Sequence, residues 1–499
     1  MLITVIGLVV TIFISLVAPF FCRSSLLGTK KATAFQPPSH PFFGCLISFY
    51  ANRHHLLDWY TELLSRSPTQ TILISRLGSI PTVVTANPAN VEHILKTRFH
   101  NYPKGKPFTD ILGDLLGRGI FNVDGELWHW QRKVASHEFT TRSLRDYAFK
   151  IVEDEAEQRL LPLLQSACAA GTRIDLQEVL TRFNFDTACK LSFDVDPQCL
   201  LPSMPACHLA RAFDVAAMIS AKRAAEPLPI IWKAKRLLRI GSENQLRRAI
   251  DTVHELVSQL IRDKKATSGA DGKDLLSRFI SMTSGRQGDE ELVRDMVISF
   301  LMAGRDTTSA ALTWFFWLLS RHPQVQKQIL EEVGLRESRK LDFHRLKEMK
   351  FLRACLKESM RLYPPVAWDS KHAENDDVLP DGTPVAKGSR VTYFPYGMGR
   401  MENLWGKACL EFKPERWLSE GNAQEEEMVS TYKFPIFQAG PRQCLGKDLA
   451  YMEMTYVAAL VLRRYELKPV ETHEARFVPL LTARMAGGLP MLVEERQFN

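Results

Sequence analysis

FQAGPRQCLG, residues 437–446, is the stretch on which the reading of this chain turns. It runs directly into KDLAYMEMTYVAALVLRRY, 447–465, whose apolar residues recur with helical spacing. Two glycines and a proline shape a tight loop, and a helix starts close to Cys444. A cysteine in that place meets unpaired backbone N–H groups and the positive end of the helix dipole, and both favour its thiolate. Gly440 and Gly446 leave room for a flat cofactor to lie against the backbone. Arg442, two residues before the sulfur, offers a cation suited to a carboxylate on that cofactor. A lone cysteine is more often an inert buried side chain in a turn. The helix start, the two glycines and the arginine at this spacing favour a metal-ligating sulfur instead.

Working outward, the next decisive segment is DEELVRDMVISFLMAGRDTTSAALTWFFWLLSR, 289–321, which stops at His322-Pro323. As a helix it would run roughly 50 Å, apolar nearly all round, and so belongs in an interior. A membrane span is the rival reading, but Arg305 and Asp306 fall at its middle, where a bilayer penalises charge. A central helix through a large core fits better. Residues 71–86 are β-branched and broken by Gly78 and Pro81, which predicts a hairpin or two short strands. From about 88 to 330 the pattern is mainly helical. DKKATSGADGKD (263–274) and SEGNAQEEE (419–427) read as surface loops, and Gly487-Gly488 as a hairpin turn. No GxGxxG fingerprint follows a strand, so no bound flavin or nicotinamide is expected in this chain.

The whole chain has 499 residues, 45% of them hydrophobic, which is enough for a large core, and no strong break divides it. The net charge is +8, with basic residues spread along the chain. That excludes the concentrated patch a nucleic acid would need, and fits an acidic protein partner or an anionic membrane surface. Nine cysteines with no CxxC pair argue against a disulfide framework or a zinc ribbon. Met1 to Cys22 carries no charge and is long enough to cross a bilayer. Arg23, Lys30 and Lys31 follow it and would keep the next domain cytosolic. A cleaved signal peptide is the alternative, but it lacks a basic start and a small-x-small cleavage site. Pro37-Pro38 and Pro41 make a stiff joint. The division is therefore a transmembrane signal anchor at 1–22, a basic, proline-rich linker at 23–41 and a catalytic domain at 42–499.

FxxGxRxCxG is the haem-binding signature of the cytochrome P-450 superfamily, and the chain is identified as a member. Further motifs stand in the family's order. Trp128 and Arg132 resemble its WxxxR pair. Ala303-Gly304-Arg305-Asp306-Thr307-Thr308 resembles its oxygen-activation motif. Glu358 and Arg361, in KESMRLYPP, resemble its ExxR pair, and Arg416, in KPERW, the arginine that closes a salt-bridge network with them. The resemblance implies a mainly α fold with small β-sheets. It further implies haem b between the long central helix and the cysteine loop, and one N-terminal transmembrane helix in the endoplasmic reticulum membrane. It implies Cys444 as the iron ligand, a cofactor-binding set that includes Phe437, Gly440, Arg442 and Gly446, and propionate contacts from Trp128 and Arg132. A haem-thiolate monooxygenase of this kind takes electrons from NADPH through a flavoprotein, NADPH-cytochrome P-450 reductase. Lys433, Arg442 and Lys447 would offer that partner a basic face; a merely solvated rim is the alternative.

Physical roles can be argued beside the family. Oxygen cleavage needs protons in a dry pocket, where Thr307 can accept and donate a hydrogen bond and Asp306 can link it to water. The alternatives are back-bonding of Thr307 to the preceding turn and pairing of Asp306 with a neighbouring cation. Gly304 would let the helix approach the porphyrin or open locally.

The wording of 94–128, 364–385 and 391–406 resembles a plant branch that oxidises fatty-acid-derived chains near the terminal carbon. WDSKHA and VTYFPYGMGRME look like the jasmonoyl-isoleucine 12-hydroxylase subgroup, whose relatives are fatty-acid ω-hydroxylases. A haem-thiolate hydroperoxide isomerase and a non-catalytic haem protein remain lower alternatives. Terminal attack needs a narrow apolar channel, with walls expected from Phe108–Leu116, Phe300–Ala303 and Val366–Trp368. Lys371 and His372 are candidates for holding a substrate carboxylate.

Overall fold

Asp289–Ser320 forms one helix of 32 residues, the spine of the molecule. Its all-round apolar surface is buried because other helices cover it, most closely Leu176–Phe193, then Lys350–Leu362 and Ser242–Thr267. Trp314 stacks on Tyr363 with ring centroids 4.0 Å apart, which pins the far end of the spine to the segment after Lys350–Leu362. The helix ends where Pro323 opens the next one, Pro323–Val333. The computed structural model describes residues 35–496 apart from 41, 78, 202, 227, 268–272, 284–288, 335–339, 420–421, 427 and 471–474. The anchor expected at 1–22 and most of the linker lie outside the described residues. Among the described residues no helix is long and apolar enough to cross a membrane.

The strand pair expected over 71–86 is present as Thr71–Ile74 and Thr82–Thr85, antiparallel. Arg390–Tyr393 continues the sheet in parallel and Asp369–His372 closes it antiparallel, giving four strands. The β-branched residues Ile72, Val83, Val84 and Val391 are buried there. The remaining sheets have two or three short strands.

Three local expectations need correction. The helix Ser242–Thr267 runs into the segment read as a loop from 263, because Lys-Lys-Ala continues a helix readily. Asn422–Glu426 is a strand paired with Leu418–Ser419. Gly487-Gly488 joins two different sheets, since Arg484–Met485 pairs with Phe477–Val478 whereas Pro490–Glu495 pairs with Tyr465–Pro469 and Ile174–Asp175. Both glycines have positive φ, 80° and 78°, and a Cβ on Gly488 would overlap the Asp175 carboxylate. That carboxylate accepts from Leu489 N–H at 2.8 Å. All eight described cysteines are free thiols.

Candidate active site

The cysteine loop is built from two short 3-10 turns, Pro435–Phe437 and Gly440–Arg442, followed by Gly446 as the cap of the helix Lys447–Arg464. Cys444 N–H donates to the Phe437 carbonyl at 2.8 Å, which folds the loop back on itself. The Cys444 side chain is solvent-accessible and borders a cavity of about 510 Å³. Burial pushes its thiol pKa up, while the Gly446 N–H and the charges of Arg132 and Lys447 pull it down. Gly446 and Phe437 border the same cavity. Gly440 does not: it has φ +64°, and a Cβ there would overlap the Leu95 carbonyl. The expectation that Gly440 makes room for a cofactor is therefore corrected. Its bareness lets the loop dock on the turn His93–Thr97.

Arg442 lies inside. Its Nη2 is 2.6 Å from Asp124 and 3.0 Å from the Val123 carbonyl, and its guanidinium sits 4.4 Å above the Trp128 ring. It cannot belong to an exposed basic face, so of that expected cluster only Lys433 and Lys447 remain. Arg442 Nε is buried with no partner. Trp128 and Arg132 project from the helix Gly125–Thr140 into the same cavity wall. Arg132 makes no ion pair among the described residues, and burial lowers its pKa against the pull of Cys444. An orphaned guanidinium N–H, an unpaired arginine and a cavity-facing thiol form a donor set that fits haem, with two carboxylates and an iron seeking an axial sulfur.

On the opposite wall, Thr307 Oγ1 donates to the Ala303 carbonyl at 2.7 Å, which is the back-bonding to the preceding turn weighed above; its lone pairs stay open to an incoming donor. Ala303, Gly304, Thr307 and Thr308 line the cavity; Asp306 does not. The Asp306 carboxylate lies 3.5 Å from Arg305 Nε, and Arg305, buried, also bonds Asp214 at 2.8 Å. Asp306 thus has the neighbouring cation weighed above, and it does not converge with Thr307. Gly304 sits in unbroken helix, its open side toward Ala188 at ordinary contact distance, so no local opening is present.

Beneath the loop, Glu358 and Arg361 are fully buried and joined by two bonds of 2.8 Å. Arg416 Nε at 2.9 Å, Trp417 Nε1 at 2.9 Å and the Lys413 N–H at 2.9 Å complete the shell of Glu358. Arg361 also donates to the carbonyls of Gly399, Cys409 and Glu411.

The sequence pattern described as "Cytochrome P450" matches residues 35–483. The chain belongs to the cytochrome P-450 family. It is a haem monooxygenase, an oxidoreductase whose prosthetic group is haem b. Among curated relatives it is 55% identical to "Cytochrome P450 94B1" of Arabidopsis thaliana over 97% of this chain and 96% of that one. It is 56% identical to "Cytochrome P450 94B3" of the same plant over 96% and 95%. It is 44% identical to "Cytochrome P450 94A1" of Vicia sativa over 92% and 90%. Among solved structures, the "cytochrome P450DA heme domain" superposes with a TM-score of 0.77 at 22% identity, covering 93% of this chain and 97% of that one. The last likeness speaks for the fold. A P-450 of this family works with a redox partner and a small-molecule substrate.

In this P-450 all three expected wall segments reach the cavity, through Phe108, Ile111 and Leu116, through Phe300 and Met302, and through Val366 and Trp368. Lys371 does not: it is buried, 3.0 Å from Asp369, which also binds Lys104 at 2.7 Å and Tyr393 at 3.0 Å. Its candidacy for a substrate carboxylate is therefore corrected. Burial works against the Asp369 charge, but the two lysines hold its carboxyl below the ordinary range. His372 does line the cavity, with Nδ1 2.6 Å from the Lys104 carbonyl and a buried, unpartnered Nε2. Burial pushes its pKa down to about 4.

The sequence reading passed over Glu453, on the helix behind Cys444. It borders the cavity, its Oε1 is buried without a partner, and burial pushes its pKa from 4.5 up to about 8. The folded protein therefore holds a proton that the unfolded chain releases above pH 4.5. That stabilising protonation is complete below pH 4.5 and is lost as pH rises through about 8, at about 1.4 kcal/mol per pH unit. Glu453→Gln is expected to raise the unfolding temperature at about pH 8 and to leave it unchanged near pH 4.5. Thermal melts across that range check this, and a constant offset at every pH would refute it.

Proposed function

We propose that this P-450 hydroxylates the terminal region of a fatty-acid-derived substrate, and that its reaction is 12-hydroxylation of jasmonoyl-L-isoleucine. The observation that carries the reading is the cavity itself: an apolar-walled space that reaches Cys444 and Thr307 together. An ω-methyl C–H is stronger than an internal one, so walls must choose the carbon by restricting pose. Phe108, Ile111, Phe300 and Val366 supply such walls. The WDSKHA and VTYFPYGMGRME segments support the jasmonate assignment over the second reading, ω-hydroxylation of free medium- or long-chain fatty acids.

Bound haem supplies activation of dioxygen and insertion of one oxygen atom into a C–H bond. The chain's own part is to hold and shield. Cys444 ligates the iron, and Gly446 N–H steadies its sulfur. Arg132 and Arg442, beside Trp128, neutralise the propionates. The Thr307 hydroxyl, its own hydrogen on the Ala303 carbonyl, is free to accept a hydrogen bond and so to hold a proton donor in a site from which the apolar walls exclude bulk water. Asp306 would join that relay only by turning from Arg305. Electrons come from NADPH-cytochrome P-450 reductase, met at the side of Lys433 and Lys447. A helix at 1–22 holds the chain to the endoplasmic reticulum membrane with the catalytic domain in the cytosol. Unchanged sedimentation with membranes after deletion of residues 1–30 would sink that anchor.

Turnover with reductase, comparing jasmonoyl-isoleucine with a long-chain fatty acid and identifying the oxidised carbon, tests the reading. Oxidation of neither would overturn it. In the same assay Thr307→Ala is expected to keep its haem and consume NADPH. Product per NADPH should fall by about tenfold or more, with peroxide released instead. Full product yield from that variant would remove Thr307 from proton delivery and reopen the hydroperoxide-isomerase alternative.

A further inference from the structure

The four-stranded sheet presents one face to the cavity. Thr82, Arg390 and His372 are register partners on three neighbouring strands, and partners across a rung project to the same side. Two residues further along each strand come Val84, Thr392 and Ser370, and all six border the cavity. Five of these are neutral or, in the case of His372, kept neutral at ordinary pH by burial. Arg390 is the exception. Its Nε is buried without a hydrogen-bond partner.

Arg76 joins it. This residue follows the edge strand Thr71–Ile74, borders the cavity, and has its Nη1 buried without a partner. Its guanidinium stacks on the Phe49 ring at 4.1 Å, which aims it from the amino-terminal side. Neither arginine forms an ion pair with any carboxylate among the described residues. Among the described residues Arg132 and Arg400 also lack a carboxylate partner, whereas Arg223 has Glu243, Arg305 has Asp214, Arg361 has Glu358, and Lys104 and Lys371 share Asp369. Arg76 also disfavours the charge on Arg390, after burial itself, so the two stand close enough to repel. Tyr60 lies within electrostatic reach of both and borders the cavity. Burial pushes its pKa up to about 12, so it stays protonated and able to donate.

Two like charges held together, half-buried and with N–H groups unspent, are costly unless an anion completes them. Guanidinium groups match a carboxylate in shape and charge. Their surroundings also differ from those of Cys444: Phe49 and Tyr60 come from the amino-terminal helices Leu46–Ala51 and Leu56–Arg66, while Arg132, Phe437 and Gly446 surround the sulfur.

We infer that Arg76 and Arg390, with Tyr60 beside them, bind the substrate carboxylate and thereby set which carbon reaches the haem end of the cavity. The inference rests on the terminal hydroxylase reading above. A chain tethered by its carboxylate at this pair presents its far end to the reacting centre. An acyl-amino acid conjugate and a free fatty acid both carry the required group, so the pair selects for a carboxylate and leaves the choice between them to the apolar walls.

The test is a spectral titration of the full-length, haem-loaded protein with dodecanoic acid and with its methyl ester, which is neutral and otherwise nearly identical. Wild type is expected to bind the acid at least about tenfold tighter, and Arg76→Gln with Arg390→Gln together to abolish that preference by weakening the acid alone. Each single lysine variant, which keeps charge but loses the paired N–H geometry, is expected to fall between. In turnover the double variant should spread hydroxylation from the terminal carbon to its neighbours. Equal binding of acid and ester by wild type, which needs no variant, would overturn the inference. So would a double variant that keeps the preference. Both results would leave the monooxygenase reading standing if dodecanoic acid or jasmonoyl-isoleucine is still hydroxylated. Oxidation of neither acid would sink the two together.

Discussion

Cys444→Ala is expected to yield a protein without the reduced carbon-monoxide spectrum of a thiolate-ligated haem and without measurable monooxygenase activity. The loss should be complete rather than partial, because no neighbouring group can replace the sulfur. No other described cysteine borders the cavity, and among the described residues no cluster of three metal-ligating side chains exists. The loop itself should survive the change, since the Cys444 backbone, not its sulfur, makes the bond to the Phe437 carbonyl. Absorption spectra of the reduced, carbon-monoxide-treated variant, together with its haem content, check this. A retained thiolate-type spectrum would require a different ligand and would end the assignment.

Arg361→Ala is expected to prevent accumulation of haem-loaded protein. The reason is what the change strands. Glu358 is fully buried and would lose the two bonds from Arg361, while the carbonyls of Gly399, Cys409 and Glu411 would lose their donor together. Breaking one partner of a buried ion pair costs about 3–5 kcal/mol, against a total stability of about 5–15 kcal/mol for a folded domain. Arg416 cannot compensate, because its guanidinium is committed to Glu358 and to the carbonyls of Trp405 and Ala408. Arg361→Lys should fail nearly as badly, since one ammonium cannot reach a carboxylate and three carbonyls in a plane. The haem-to-protein ratio and thermal unfolding of the purified variants measure the effect. A variant of wild-type stability and haem content would show the network to be dispensable.

The parts of this protein that were readable in advance share one property: their meaning lies within a few residues. Cys444 next to a helix start, the spacing of Glu358 and Arg361, and the apolar run of the central helix each carry a local physical signature. The parts that misled are those where a distant partner decides. Gly440 looked like room for a cofactor because the Leu95 carbonyl, more than three hundred residues away, is invisible from the loop. Gly487-Gly488 looked like a hairpin because nothing nearby announces Asp175. Lys371 looked available for a substrate until Asp369 and Lys104 closed around it.

By itself the amino-acid order determined the cofactor class, the mainly helical architecture and the buried Glu358 network, because backbone geometry and short-range periodicity bind those features to adjacent residues. Only the tertiary structure decided that Asp306 turns to Arg305, that Glu453 borders the cavity with one oxygen buried and unpartnered, and that Arg76 and Arg390 meet unpaired on one wall. Burial and charge pairing are set by whichever segments fold against each other, and no run of neighbouring residues contains that information.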